Sequence, residues 1–191
     1  MISIGESEMT WSIQGATLLT PDKVIEKGAV SISGDEIESV SSRSASGGLS
    51  IDATGCVLSP GLINSHDHLL GNYFPKVGDH RPYENWLPWD NDLKSAEVYR
   101  ERQRIENRDL YILAGYRNLI SGVTLVADLI PHFVNEPFLD LVPTKILTDY
   151  TLAHSVASFA LNWGEGISAE HQKAVDGNMP FITHCSEGFD D

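Results

Sequence analysis

Short apolar runs separated by polar turns fill the first part of the chain and predict a block of β-strands. Between two of these runs lies Gly34-Asp35, a dipeptide typical of a β-hairpin turn. The stretch 41–50, rich in serine and glycine, predicts a loop. A block of this size is too small to bury a hydrophobic core alone. The apolar runs are residues 11–13, 16–20, 28–33 and 36–40.

Farther along the chain, strand-like apolar runs alternate with segments of helical spacing. The main helical segment, Ser95–Ser121, has a broad apolar face and ends before Gly122, which suits a helix C-cap. A shorter helix is predicted at 169–175, whereas the aromatic-rich stretch 69–92 is predicted to be irregular. Helix alternating with strand predicts an α/β fold with a parallel sheet. The strand-like runs are residues 123–130, 145–150, 156–161 and 181–184.

Composition narrows the classes of function. The chain has 191 residues and a formal net charge of −14, which repels phosphate backbones and anionic lipid surfaces and so argues against nucleic-acid and membrane roles. No apolar run reaches the roughly 18 residues of a transmembrane helix, and no secretory signal is visible, so we expect a cytoplasmic protein. Cys56 and Cys185 lie far apart in apolar runs, which predicts reduced, buried thiols.

Two histidines at the end of a predicted strand are the first indication of chemistry. The segment Gly55–His68 is a short apolar run that leads into His66 and His68. Because side chains alternate across a strand, both imidazoles should point to one side and Asp67 to the other. Two imidazoles on one face can bind one metal ion from a shared direction. Taken alone, the pair would be interpreted as ordinary surface or core histidines.

A second segment, Pro180–Gly188, follows the same pattern with a single histidine. A strand-like run delivers His184, and Glu187 follows three positions later. Cys185, next to His184, is an alternative ligand, although the neighbour of a ligand on a strand points the opposite way.

Together these motifs resemble the amidohydrolase superfamily, and most closely its cytosine deaminase, guanine deaminase and chlorohydrolase-like branch. In that family, Pro60–His68 would form the first barrel strand, and His184 with Glu187 would end the fifth. Residues 121–128 are similar to the family's passage from helix to second strand. The first motif is specific in this context, whereas His-x-x-Glu alone would be a weak signal.

The resemblance implies a metal-dependent site. His66, His68 and His184 would bind one divalent ion, zinc or alternatively iron or manganese, and Glu187 would be the catalytic general acid and base. Some members bridge two metals with a lysine or glutamate from the fourth strand, but the candidate segment 155–163 contains neither, which favours one metal.

The resemblance also implies an architecture: an α/β protein with an incomplete metal-dependent-hydrolase TIM (β/α)8 barrel, preceded by a small β-sandwich segment. Residues 1–57 would be the N-terminal part of a composite β-sandwich domain, and residues 58–191 the first five barrel strands. The family takes a further histidine and an aspartate from its sixth and eighth strands. These have no counterpart here, so the resemblance implies truncation after the fifth strand.

Several residues near predicted strand ends keep two interpretations open. The aromatic side chains of 69–92 could cap a ring-shaped substrate or only anchor a long loop. His132 and His154 could touch substrate or support the metal ligands, or be solvated, and the role of Asp128 is left open. His80 and His171 are predicted to be surface residues.

Two hypotheses of function follow. The first is a metal-dependent hydrolase of carbon–nitrogen bonds other than peptide bonds, which deaminates or opens a small nitrogen heterocycle through metal-bound hydroxide. The second is an inactive truncated amidohydrolase that pairs with another chain, as a homo-oligomer for example, through exposed barrel edges.

Overall fold

A computed structural model describes residues 10–43, 48–78, 81–156 and 160–185. Residue contacts divide the chain into two units, 1–60 and 61–191, and each unit is described by itself. Within the described ranges, no helix has the length and apolar character needed to cross a membrane.

The first unit is a mainly antiparallel sheet. Strands follow the order β3-β2-β1-β4, and β5 pairs with β1. The hairpin predicted at Gly34-Asp35 is confirmed, because it joins β2 to β3 with Gly34 in the left-handed region (φ 59°). The core contains Leu18, Val30 and Ile32. The strands are β1 (Thr10–Leu19), β2 (Val24–Ser33), β3 (Glu36–Ser41), β4 (Leu49–Asp52) and β5 (Val57–Leu58).

Two predictions for this unit change. The runs 11–13 and 16–20 form one strand, because a register irregularity at Gly15 lets β1 continue past the polar interruption. Part of the predicted loop 41–50 is strand β4, since Leu49–Asp52 pairs parallel with β1 despite being exposed. Residues 44–47 of that stretch lie outside the described residues.

The second unit alternates helices and strands, as predicted for an α/β protein. Strands β6, β7 and β8 form one parallel sheet, and β9 pairs parallel with β10 in another. The strands are β6 (Leu62–Asp67), β7 (Val123–Asp128), β8 (Lys145–Ile146), β9 (Thr151–Ser155) and β10 (Phe181–His184). The helices are α1 (Trp86–Ser95), α2 (Glu97–Arg102), α3 (Asn107–Ile120), α4 (His132–Asn135) and α5 (Ile167–Gly177), with 3₁₀ turns at Leu69–Gly71 and Glu136–Leu141.

The single helix predicted at Ser95–Ser121 is wrong, because two helices, α2 and α3, occupy this range and α1 ends at its first residue. Helix α1 begins at Trp86, inside the stretch predicted to be irregular, and the Asn85 side chain caps it by accepting a hydrogen bond from the Leu87 amide (2.9 Å). Ala96 and Glu106 have extended backbones that separate the helices.

Residues 157–159 of the strand predicted at 156–161 lie outside the described residues, and the strand described just before them is Thr151–Ser155. Every residue of β9 is buried, so its sequence lacks the alternation of polar and apolar positions that indicates a half-exposed strand.

The hydrophobic core of the second unit joins α3 to β7. Tyr111 and Ala114 of α3 pack with Val126 of β7 and with Leu69, which follows His68. Gly115 of α3 permits a close approach to the Val142-Pro143 segment, since a Cβ there would lie 2.6 Å from Val142 Cγ1 and 2.5 Å from Pro143 Cδ. Through Leu69, this core anchors the chain that directly follows β6 and His68.

We expect Gly115→Ala to lower the free energy of unfolding by about 1–2 kcal/mol, because overpacking against the rigid proline outweighs the helix propensity of alanine. Gly177→Ala, at the end of α5, is the matched control, since its Cβ would meet only the flexible tip of Met179. Urea unfolding of both variants measures the difference. Equal stabilities would contradict the packing at Gly115.

Candidate metal centre

Three histidines from two sheets meet at the carboxyl ends of their strands. His66 is near the end of β6, His68 follows that strand, and His184 ends β10. One potential ligand atom from each lies within 4.8 Å of the others. The Nε2 atoms of His68 and His184 are 3.2 Å apart, and their rings are stacked at 5.2 Å. This is the cluster of candidate ligands expected from the two sequence motifs.

The ring of His184 is oriented by the backbone of β9. Its Nδ1–H donates to the carbonyl oxygen of His154 at 2.6 Å. The lone pair is therefore on Nε2, the nitrogen that faces His68. A hydrogen bond of this type fixes the tautomer and direction of a metal-binding imidazole.

The surroundings of His68 favour its neutral form. Desolvation, together with the neighbouring His184 and His66, lowers the pKa of His68 to about 4, against an opposing effect of Asp67. Part of the His68 side chain is exposed, but its Nε2 lies against His184, where protonation would place positive charge beside another imidazole. At neutral pH His68 is thus in the form that binds metal ions.

Asp67 is a residue whose role sequence reasoning missed. Its Oδ1 accepts hydrogen bonds from Asn72 Nδ2 (2.7 Å) and the His68 amide (2.8 Å). Its Oδ2 accepts from Asn64 Nδ2 and Asn118 Nδ2, both at 2.9 Å. Asn64, three residues before Asp67, is a sequence signal for a local hydrogen bond to this carboxylate. Asn118 is far away along the chain, so no local pattern indicates its contact with Asp67.

Asp128 holds the chain directly after His68. Its buried carboxylate accepts hydrogen bonds from the Leu69 amide (2.9 Å), the Tyr111 hydroxyl (3.1 Å) and Asn135 Nδ2 (3.4 Å). Burial raises the pKa of Asp128, and burial together with Asp128 also raises the pKa of Tyr111. These contacts give Asp128 a structural role, because its carboxylate holds the backbone of Leu69, the residue that follows His68.

The two histidines with open roles differ. His132 Nε2 donates to the Tyr150 carbonyl oxygen (3.0 Å), and His132 is not among the candidate ligands. His154 is buried beside the cluster, with its ring 5.3 Å from that of His184, and its Nδ1 accepts from the Leu161 amide (3.2 Å). The neutral tautomer of His154 therefore carries its proton on Nε2.

A cavity of about 690 Å³ opens in front of the three histidines. Phe74, Trp86 and Trp89 line it from the stretch 69–92, and Trp163 lines it from the segment after β9. Other aromatic residues of that stretch make structural contacts instead, as Tyr83 does by donating to Asp92 (2.8 Å). Tyr83 thus fits the interpretation as a loop anchor, whereas capping of a substrate by the residues that line the cavity stays a prediction.

Glu187 and His80, two residues singled out from the sequence, lie outside the described residues. The prediction of buried thiols is wrong, since Cys56 and Cys185 are both exposed. Cys56 lies in the turn before β5, and Cys185 follows the last residue of β10, so neither is inside a strand.

Sequence comparison relates the chain to deaminases. A 5-methylthioadenosine/S-adenosylhomocysteine deaminase from Pelotomaculum thermopropionicum is 30% identical over 190 residues, covering 93% of this chain and 40% of that protein. A 5'-deoxyadenosine deaminase from Methanothermobacter thermautotrophicus is 38% identical over 65 residues, covering 33% of this chain and 15% of that protein. The chain thus spans less than half the length of these relatives. No family model matches the sequence.

Structural comparison relates the fold to hydrolases. A triazine hydrolase variant superposes with a TM-score of 0.64 at 18% identity, covering 96% of this chain and 48% of that one. A zinc-bound adenosine deaminase from Xanthomonas campestris gives 0.58 at 15% identity, covering 92% and 42%. With the sequence relatives, these similarities support a place in the amidohydrolase superfamily.

We expect Tyr111→Phe to lower the free energy of unfolding by about 1–3 kcal/mol, because the buried Asp128 carboxylate would lose a hydrogen-bond donor. Tyr116→Phe, on the same helix but 52% exposed, is the control and should change stability little. Urea unfolding at neutral pH measures both. Equal effects of the two substitutions would show that the hydrogen bond to Asp128 does not stabilise the fold.

Proposed function

We propose that the chain is the metal-binding part of an amidohydrolase that hydrolyses carbon–nitrogen bonds other than peptide bonds. The observation that carries this proposal is the convergence of His66, His68 and His184 at one strand end, with ligand atoms within 4.8 Å. The sequence relatives, which are named deaminases, support the same chemistry.

The donor set suits one divalent metal ion. All three candidate ligands are imidazoles, the pKa of His68 keeps its ring neutral, and His184 directs Nε2 toward the cluster. Such a set fits zinc, with iron or manganese as alternatives, and a structural neighbour contains zinc. When bound, the ion lowers the pKa of a coordinated water to about 7 and so provides hydroxide at neutral pH.

Proton transfer is assigned to Glu187. The residue follows His184 by three positions in the sequence, as in the His-x-x-Glu motif that the family resemblance singles out. A carboxylate in this role takes a proton from water and returns it to the leaving nitrogen, which is general acid and base catalysis. Hydrolytic deamination then joins the oxygen of water to the ring carbon and releases ammonia.

The cavity indicates the class of substrate. Trp86, Trp89 and Trp163 offer flat apolar surfaces beside the histidine cluster, and aromatic rings prefer to stack on or contact other rings edge-on. The relatives are named for deamination of adenosine derivatives. We therefore propose a small nitrogen heterocycle with an exocyclic amine as substrate.

The architecture proposed for residues 58–191 is the first five strands of a (β/α)8 barrel. Parallel β6-β7-β8 and β9-β10, joined by helices, are typical of such a barrel. The boundary at residue 57, the β-sandwich assignment, the homo-oligomer and the cytoplasmic location remain predictions. The alternative of an inactive fragment that pairs with another chain gains no support from the comparisons.

Metal content tests the ligand assignment. We expect roughly one zinc ion per chain in the wild type and a large loss of zinc in His66→Ala/His68→Ala and in His184→Ala, because each substitution removes ligands. His171→Ala is the control, since His171 lies on α5, where its ring packs against Phe181 of β10 at 5.7 Å, and is not among the candidate ligands. Elemental analysis after dialysis measures the content. Full retention of zinc by the ligand variants would contradict the assignment.

Turnover tests the proposed role of Glu187. We expect Glu187→Gln to reduce ammonia release from 5'-methylthioadenosine or adenosine by about 10²–10⁴-fold, because the amide cannot transfer the proton. Zinc content should stay unchanged. Glu165→Gln, which removes an exposed partner of Lys173, is the matched control. Undiminished turnover in Glu187→Gln would show that another group moves the proton.

A further inference from the structure

Strand β6 carries an extra residue where it approaches the histidine cluster. Asn64 pairs with Val126 of β7 and Asp67 pairs with Asp128, with a register irregularity between the two pairs. β6 therefore advances by three positions where β7 advances by two. A bulge of this kind bends the strand and redirects its side chains. Here the bulged segment contains His66 and is followed directly by His68.

A network of side-chain amides closes around this bulge. Asn64 Nδ2 lies 2.9 Å from Asp67 Oδ2, so this contact spans the extra residue. Asn118, 6% exposed on α3, donates to the same oxygen at 2.9 Å and accepts from Asn64 Nδ2 at 3.0 Å. Asn118 also donates to the Ala114 carbonyl oxygen at 3.1 Å, which ties the network to the helix.

The second oxygen of Asp67 holds the chain after the bulge. Asn72 donates to Oδ1 at 2.7 Å and the His68 amide donates at 2.8 Å. With the two donors at Oδ2, the carboxylate accepts four hydrogen bonds, which fills the acceptor capacity of a carboxylate. Hydrogen bonds to an ionised acceptor are about twice as strong as those between neutral groups.

From this arrangement we infer that Asp67 is a positioning residue for the metal site: its carboxylate, held by Asn118 and Asn64, fixes the bulge that presents His66 and His68 to His184. The inference rests on the proposed function. Asp67 is not in the group of candidate ligands, and its oxygens are held by the amide network, so it acts through the backbone of the two ligands beside it. A strand end fixed in advance reduces the entropy lost when the ligands are immobilised on a metal.

The substitution Asp67→Asn keeps the shape of the side chain and changes only its hydrogen-bonding groups. An amide has one oxygen and one NH₂ group, so one side of the side chain would present donors to donors, either toward Asn72 and the His68 amide or toward Asn64 and Asn118. We expect the affinity for Zn²⁺, measured by chelator competition, to fall by about 10–100-fold. The visible absorption spectrum of the Co²⁺ form should change as well, because the ligand geometry loosens.

Two further variants make the test specific. Asp176→Asn is the matched control: it changes an aspartate that accepts from Gln172 Nε2 (2.8 Å) on the surface of α5, and should leave affinity and spectrum unchanged. Asn118→Ala removes a donor to Asp67 Oδ2 from helix α3 and alters neither Asp67 nor a candidate ligand. We expect it to weaken zinc binding as well, by less than Asp67→Asn because Asp67 keeps its other three donors, and to change the Co²⁺ spectrum.

The outcomes are distinguishable. Weakened affinity and a changed spectrum in Asp67→Asn and in Asn118→Ala support the inference, with the thermal unfolding of the metal-free proteins recorded alongside. Wild-type affinity and spectrum in Asp67→Asn would overturn it while leaving the proposed function intact. If Asp67→Asn does not fold, Asn118→Ala decides, since wild-type affinity and spectrum there overturn the inference. Absence of zinc binding by the wild-type chain would overturn the proposed function and this inference together.

Discussion

The close packing of three imidazole rings is the constraint on which the second unit depends. The three rings lie 4.9–5.3 Å from one another, and burial together with the neighbouring His184 and His66 lowers the pKa of His68. To bind one ion, each ring must also direct the lone pair of one nitrogen toward the other two rings. This requires a contact on the far side of each ring or strand end that fixes its orientation. The His154 carbonyl oxygen does this for His184. Parallel strands meet this requirement well, since their carboxyl ends converge on one edge.

Two carboxylates hold the strand end that carries His66 and His68. Asp67 binds a network of neutral amides, and Asp128 binds Leu69, which immediately follows His68, together with Tyr111 of α3. A buried carboxylate loses its hydration, and hydrogen bonds from the protein must replace it. The same contacts therefore stabilise the fold and set the direction of the proposed ligands. Helix α3 connects both, because Tyr111 and Asn118 lie on it.

The sequence predicts the parts of this arrangement that depend on local pattern. The hairpin at Gly34-Asp35 and the strand leading to His184 follow from turn chemistry and apolar runs. Strand β9 does not, because burial on both faces removes the alternation that indicates a strand. The hydrogen bond between Asp67 and Asn118 joins residues 51 positions apart, and no local pattern encodes such a contact. The position of His154 beside His184 is likewise not encoded locally, because it results from the pairing of β9 with β10.

The central claim is that one divalent ion binds between His66, His68 and His184. An anomalous difference map of zinc-soaked crystals, recorded on both sides of the zinc absorption edge, tests it most directly. We predict a single strong peak within bonding distance of all three imidazoles, at about 2.0–2.1 Å from each ligand nitrogen. A peak at another group of residues, or no peak among these rings at saturating zinc, would contradict the claim.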